Sequence, residues 1–310
     1  MLTYLQAIVI GLTQGVTELF PVSSLGHSVL IPAMIGGSWK ALATQSSTGS
    51  SEGSFYLAFI VALHVATALA LLLYFRSDWV RIIRGFFTSL RPTIRARRIV
   101  ADQPDERLAW LIVLATLPVG ITGLALEHTF RTIFAKPLAA AIFLTVNGVI
   151  LLVGERLRRT SELALATAGG TVPEARTDKG TRPILSLSWR EALIVGSYQI
   201  AALFAGISRS GVAMVGGLLR GLSHEDAARF SFLLATPVIF AAGVLKLPTL
   251  AGPAGRHIHG QVLVGAAVAF VAAYLSIRFL VRYFETRTLT PFAIYSVVAG
   301  LVCIIRFTAF

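Results

Sequence analysis

Charge is what this 310-residue chain has least of. Only 14% of its residues are Asp, Glu, Lys or Arg, where a soluble globular chain carries roughly 25%. Acids are the scarcer sign, 15 against 27 basic residues. There is one cysteine, Cys303, which excludes an intramolecular disulfide and a thiolate metal site. No group of His, Asp and Glu has metal-ligand spacing; His257 and His259 stand close, yet no carboxylate or cysteine joins them. The first residues also lack a basic segment leading to a cleavage site, so no removable signal peptide is expected. A soluble enzyme, a secreted disulfide scaffold and a disordered chain are all excluded.

What the chain has is apolar residues, 55% of the total, in runs of the length that crosses ~30 Å of hydrocarbon. Six stretches read as full spans: 54–76, 108–126, 138–155, 226–246, 261–283 and 288–308. The expected fold is therefore all-α, a polytopic membrane protein. Two further apolar regions, 1–36 and 187–221, are broken near the middle by Pro21-Val22-Ser23-Ser24 and by Gly206-Ile207-Ser208-Arg209-Ser210-Gly211. Irregular backbone cannot face lipid. Each region is read as a re-entrant helix pair that enters and leaves on one side.

The loop charges test that reading. Loop 76–107 carries eight arginines, loop 156–190 seven basic residues, and turn 282–287 adds Arg282 and Arg287. The opposite loops hold Lys40, Arg131, Lys136 and Arg256. With two re-entrant pairs the basic loops all fall on one face, which the positive-inside rule makes cytoplasmic. An odd number of crossings in either broken region would scatter them. The net charge of +12 thus reads as orientation and contact with anionic headgroups of the bilayer. No aromatics are interleaved with the basic residues, and no nucleic-acid partner is expected.

In this topology the first pair dips in from outside and the second from inside, each followed by three spans. That is an inverted-topology repeat, which brings broken helices together near the midplane. A shift of 185 residues superposes Gly11 on Gly196, Gln14 on Gln199, Ser23 on Ser208 and Gly26 on Gly211. Residues 1–310 read as a single membrane domain: repeat one over 1–155, a cytoplasmic connector over 156–186, and repeat two over 187–310. Residues 37–54 read as a Ser/Gly-rich linker, Ser223 as the N-cap of a helix with acids in its first turn, and Glu127-His128 as a helix end. Pro118 and Pro237 are read as kinks.

The chemistry gathers at the two breaks. Gln14 and Glu18 are four apart and share a helical face. Pro21 ends that helix, Ser23 or Ser24 caps the next, and His27 lies one turn further, facing back toward Ser24. Ionisable groups inside a membrane are costly and are functional candidates by default. The bland alternative, a polar cluster that only satisfies itself, is given about one chance in five. At the second break Arg209 stands between Ser208 and Ser210 at a helix start, where a forked donor and free backbone N–H groups suit a phosphate. Pairing of Arg209 with Glu18 is compatible with that role. His64 lies within a span and is taken, at roughly two to one, as a simply hydrogen-bonded histidine.

These two segments resemble the signature regions of the undecaprenyl-diphosphate phosphatase family of the bacitracin-resistance type. The first family motif is Glu or Gln, then Glu four residues on, then P-V-S-S-x-G-H. Here it is Gln14, Glu18 and Pro21-Val22-Ser23-Ser24-Leu25-Gly26-His27. The second, P-G-x-S-R-S-G, is Ala205-Gly206-Ile207-Ser208-Arg209-Ser210-Gly211, with alanine in place of the usual proline. The likeness continues through Phe230–Pro237 and Pro291–Tyr295 and so covers nearly the whole chain. It implies six spans plus two re-entrant pairs in inverted repeats, in a multi-pass protein of the bacterial plasma membrane. It also implies hydrolysis of a polyprenyl diphosphate to the monophosphate and inorganic phosphate at the outer face, recycling the carrier lipid for wall synthesis.

On that footing Glu18 and His27 are expected as the acid/base pair, Arg209 as the phosphate clamp, and Ser24 as nucleophile or positioning hydroxyl for a water. Gln14, Ser23, Ser208, Ser210 and Gly211 are expected to bind substrate phosphate. The resemblance implies a divalent cation, Mg²⁺ or Ca²⁺, held partly by substrate phosphates with Glu18 as its one carboxylate, and no organic cofactor. Whether two copies pair as a homodimer is left open. The other phosphatase class considered, the type 2 phosphatidic-acid phosphatases, requires a histidine where Val215 stands. A polyprenyl-phosphate transporter or flippase, alone or combined with the phosphatase, shares the architecture and is separated from it by the reactive groups at Glu18, Ser24 and His27.

Overall fold

A computed structural model describes residues 2–39, 42, 55–134, 136–167, 182–251 and 258–309. Its first half holds α1 (Tyr4–Thr17), α2 (Ser24–Ile35), α3 (Phe55–Tyr74), α4 (Arg76–Ala96), α5 (Pro104–Phe134) and α6 (Pro137–Thr167). The second half holds α7 (Trp189–Tyr198), a 3₁₀ turn at Gln199–Leu203, α8 (Arg209–Leu218), α9 (His224–Ala251), α10 (His259–Thr286) and α11 (Thr290–Ala309). The fold is all-α. Both apolar regions break where the small and polar residues fall, between α1 and α2 and between the 3₁₀ turn and α8. Each expected span coincides with a helix. Four of them contain stretches long and apolar enough to cross a bilayer: Pro104–Leu126, Pro137–Thr160, His259–Thr286 and Thr290–Ala309. α3 and α4 pass the same test only together, as a pair bent by 87°.

Positions 185 residues apart on α1 and α7 lie in like surroundings. α1 lies on α10 and α7 on α5, while α3 meets α9 and α6 meets α11 across the two halves. Gly11 abuts the backbone of Gly265 and its counterpart Gly196 abuts that of Ala115; neither site has room for a Cβ. The helix starts match too. Thr3 and Gln6 close a capping box on α1, and Ser188 and Glu191, 185 positions later, close one on α7. Two helices are thus started, and laid against their neighbours, by the same devices in both halves.

The expected basic loop 76–107 is instead largely the helix α4. Ile82, Gly85 and Ser89, at helical spacing, are buried against α5, where Trp110 Nε1 donates to Ser89 Oγ at 3.0 Å. Val80, Ile83, Phe87 and Ile94 are exposed beside the arginines, the pattern of a helix lying in a membrane interface. A loop reading based on charge alone overlooked that periodicity. Asp78 anchors this helix to α9 through Arg229 at 3.0 Å. Glu127 and His128 also depart from expectation: the backbone of α5 stays helical through them to Phe134. Ser223 does cap α9, its Oγ accepting from Asp226 N at 2.9 Å, and Pro118 and Pro237 lie inside helices. The readings made for 43–54, for 168–181 and for His257 fall outside the described residues.

Candidate functional site

The two breaks interlock. Ser23 caps α2 by accepting from Gly26 N at 3.2 Å, and Ser208 caps α8 by accepting from Gly211 N at 3.2 Å. Ser23 Oγ also accepts from Gly206 N of the other break at 3.2 Å. Ser208 and Ser210 in turn donate to the carbonyl of Phe20 at 3.4 and 3.3 Å. Ser23 has φ 68°, a conformation an L residue adopts only when its surroundings over-determine it; here the cap, the bond from Gly206 N to its hydroxyl and two from His27, through backbone N and Nδ1, to its carbonyl do so. The glycines let the backbones meet. A Cβ on Gly26 would lie 2.9 Å from Gly206 Cα, and one on Gly211 3.2 Å from Pro21 Cβ.

Asn147 of α6 staples this junction. Its amide donates to Pro21 O at 3.0 Å and to Ser296 Oγ at 3.3 Å, and its Oδ1 accepts from Ser208 N at 2.9 Å. The side chain is fully buried.

Glu18 sits in the turn just past α1, buried, with partners from four directions. Its Oε2 accepts from Ser24 Oγ at 2.5 Å and from Gln14 Nε2 at 2.9 Å, and lies 3.5 Å from His64 Nε2. Its Oε1 accepts from Arg209 Nη2 at 3.3 Å. Arg209 is 12% exposed, and its Nη1 is buried without a partner, as is Gln14 Oε1. A buried polar atom normally finds a partner, so both groups keep spare hydrogen-bonding capacity beside Glu18. His64 turns its Nδ1 to the carbonyl of Ile60 at 2.8 Å, which aims the Nε2 edge at Glu18.

Most of the sequence-predicted residues are therefore brought together. Glu18, Ser24, Gln14 and Arg209 form one hydrogen-bonded cluster. Ser23, Ser208, Ser210 and Gly211 border it, with their hydroxyls and the glycine N–H engaged in capping and interlock. His27 differs from expectation. Its Nδ1 lies 2.7 Å from Ser23 O and its Nε2 2.8 Å from Tyr295 Oη, with the two rings stacked at 5.8 Å, and no hydrogen bond joins it to Glu18 or Ser24. Since Nδ1 faces a carbonyl it carries the hydrogen, and Nε2 accepts from the tyrosine in the neutral ring.

Three participants were missed or undervalued by sequence reasoning: His64, Tyr295 and Asn147. Their signal was present, since a lone polar side chain in an apolar span is a candidate by default. Nothing in the spacing says which such residue points at the breaks.

The donor set also bears on a divalent cation. Among the described residues no three His, Cys, Asp or Glu side chains gather. Glu18 is the one carboxylate of the cluster and already faces an arginine and a histidine. Mg²⁺ and Ca²⁺ take six or more oxygens, so these residues do not form such a site on their own.

Fold and site together define a polytopic helical membrane protein whose buried carboxylate, hydroxyl and guanidinium meet where two broken helix pairs touch. The chain matches the model of the bacitracin resistance protein BacA family over residues 7–302, and it belongs to that family. It is 62% identical over 343 aligned positions to undecaprenyl-diphosphatase 2 of Frankia alni, covering 99% of this chain and 98% of that one. Identity is 58% to undecaprenyl-diphosphatase of Mycolicibacterium paratuberculosis, over 96% of this chain and 95% of the relative. It is 43% to undecaprenyl-diphosphatase 2 of Burkholderia orbicola, over 96% and 94%.

Proposed function

We propose that this chain hydrolyses undecaprenyl diphosphate to undecaprenyl phosphate and inorganic phosphate, returning the carrier lipid to cell-wall synthesis, with six spans, two re-entrant pairs and a site open to the extracytoplasmic side. Its activity is that of an undecaprenyl-diphosphatase, and resistance to bacitracin goes with it. One observation carries the chemistry: Ser24 and Arg209, from opposite halves of the chain, converge on Glu18.

The geometry supports a route. Arg209, with its unpartnered Nη1, takes the terminal phosphoryl group, aided by the N-termini of α2 and α8. Ser24 Oγ attacks that phosphorus in line while Glu18 Oε2, already its hydrogen-bond acceptor, takes the hydroxyl proton. The phosphorus–bridging-oxygen bond breaks and prenyl phosphate leaves. Water then attacks the phosphoserine and gives one proton to His27, while the proton held by Glu18 returns to Ser24 Oγ as its bond to phosphorus breaks, which yields inorganic phosphate and restores Ser24–OH. As Arg209 turns toward phosphate, His64 stays beside Glu18, so the carboxylate keeps a partner. His27, oriented by Ser23 O and Tyr295, stands one turn from Ser24; once its Nε2 has taken up a proton from water it is the group that passes one to the leaving oxygen.

The test is phosphate release from farnesyl or undecaprenyl diphosphate by the purified chain in detergent. Glu18→Gln removes the base and is expected to cost 10²–10⁴-fold, roughly the worth of general acid–base catalysis, with the melting temperature within a few degrees of wild type. Near-normal release by that variant would remove the carboxylate from the mechanism. Run with and without chelator, the assay also reads out whether a divalent cation accompanies the diphosphate.

A further inference from the structure

One surface outside the site has the make-up of a binding site. At the end of α10, Arg278, Arg282 and Arg287 surround an open groove of about 440 Å³ with Leu275, Phe279 and Tyr283 on its walls. The three arginines are exposed. None of them takes part in an ion pair or a side-chain hydrogen bond among the described residues. Several arginines elsewhere are committed: Arg229 to Asp78, Arg182 to Glu191 and Arg159 to Glu155. The groove arginines gather positive charge with no acid bound to it, although Glu285 lies on the same stretch of helix.

The walls say what kind of anion fits. Leu275 and Phe279 are 59% and 52% exposed on a helix apolar enough to span a bilayer, so they face acyl chains. Their positions are firm, because Phe279 stacks on Phe20 at 5.9 Å and Tyr283 meets Phe292 edge-on at 5.3 Å. Guanidinium groups at the helix end reach the headgroup region along their own apolar stems. Orientation by the positive-inside rule accounts for basic residues near a helix end, but not for a concave trio with an aromatic wall. A soluble anion would leave the apolar wall unused, and a peptide has no reason to sit at lipid depth.

We infer that the Arg278–Arg282–Arg287 groove binds the phosphate headgroup of an anionic lipid, with the first part of the chain laid against Leu275 and Phe279. Two lipids offer that chemistry, a phospholipid diester and a prenyl phosphate monoester. The inference is independent of the catalytic reading, since none of the residues around Glu18 lines this groove.

Native mass spectrometry of the full chain in detergent, titrated with phosphatidylglycerol, undecaprenyl phosphate or zwitterionic phosphatidylcholine, tests it. Wild type is expected to retain one anionic lipid in preference to phosphatidylcholine. The triple variant R278Q/R282Q/R287Q should bind that lipid about a hundredfold more weakly, from the typical worth of an arginine at an anionic surface. A control of equal charge change, R84Q/R91Q/R95Q on α4, removes arginines that do not line the groove and should leave the retained lipid within about threefold of wild type, since only screened charge away from its phosphate is lost. Preference for the monoester assigns the groove to the prenyl lipid, and equal binding assigns it to the phosphate alone. Unchanged affinity in the groove variant, or equal losses in both triples, overturns the inference. Melting temperature is the fold control, and Arg282→Gln alone, expected to weaken binding about fivefold, replaces a triple that does not fold.

Discussion

Glu18 has two oxygens and four neighbours, and the division of labour between them is open to measurement. One oxygen serves Ser24, Gln14 and His64, the other Arg209. Replacing Arg209 by Lys keeps the charge and loses the planar fork. Phosphate release by Arg209→Lys is therefore expected to fall about 10²-fold or more, the usual worth of one well-placed transition-state donor, and to stay near the level of Arg209→Ala. Full activity with lysine would reduce the guanidinium to a simple counter-charge. His64 and Tyr295 act through their neighbours. His64→Ala should slow release roughly 10- to 100-fold by loosening Glu18, and Tyr295→Phe roughly three- to tenfold, the equivalent of one hydrogen bond. Steady-state kinetics on both variants decides, the expected signature being a lower kcat with KM little changed.

At the scale of helices, the site is a joint. α1–α2 and α7–α8 hold each other through Ser23, Ser208, Ser210 and Asn147, and their close approach depends on bare backbone at Gly26 and Gly206. A methyl group on Gly26 would come within 2.9 Å of Gly206 Cα. Gly26→Ala is expected to cost about 1–3 kcal/mol, as overpacking does, and to lower the melting temperature together with activity. Leu25 is 41% exposed, so Leu25→Ala one position earlier should be nearly silent. Equal behaviour of the two variants would mean that the breaks do not bear on one another. The breaks themselves were legible from Pro21 and the Gly206–Gly211 segment, because small and polar residues interrupt apolar runs there. α4 was not legible from charge counts, since its packing stripe of Ile82, Gly85 and Ser89 is hidden among arginines. His27 was given to Ser24 because helical spacing describes neighbours on one helix. It cannot describe Tyr295, 268 positions away on α11.

For the whole molecule the open quantity is orientation. By the positive-inside rule Arg95 and Arg287 are expected at the cytoplasmic face and Lys136 outside. Cys303 is buried, so the chain is close to a cysteine-free background for labelling. In intact cells a membrane-impermeant thiol reagent should modify Lys136→Cys and spare Arg95→Cys and Arg287→Cys until the membrane is opened. Labelling of all three from outside, or of Arg287→Cys alone, would contradict the inverted repeat. The same arrangement makes the fold depend on contacts between halves: α3 with α9, α6 with α11, and the joint itself.

Hydropathy and loop charge were enough to establish a helical membrane protein with two interrupted regions, because transfer to hydrocarbon is decided segment by segment, without reference to partners. The residue types at the breaks, a carboxylate, hydroxyls and an arginine, were equally plain, as charge inside apolar runs is rare. Which of them touch is another matter. That Arg209 reaches Glu18 across 191 positions, that His64 joins them, and that His27 turns to Tyr295 all follow from how two halves of the chain dock. Docking is a property of surfaces in space, and no local pattern carries it.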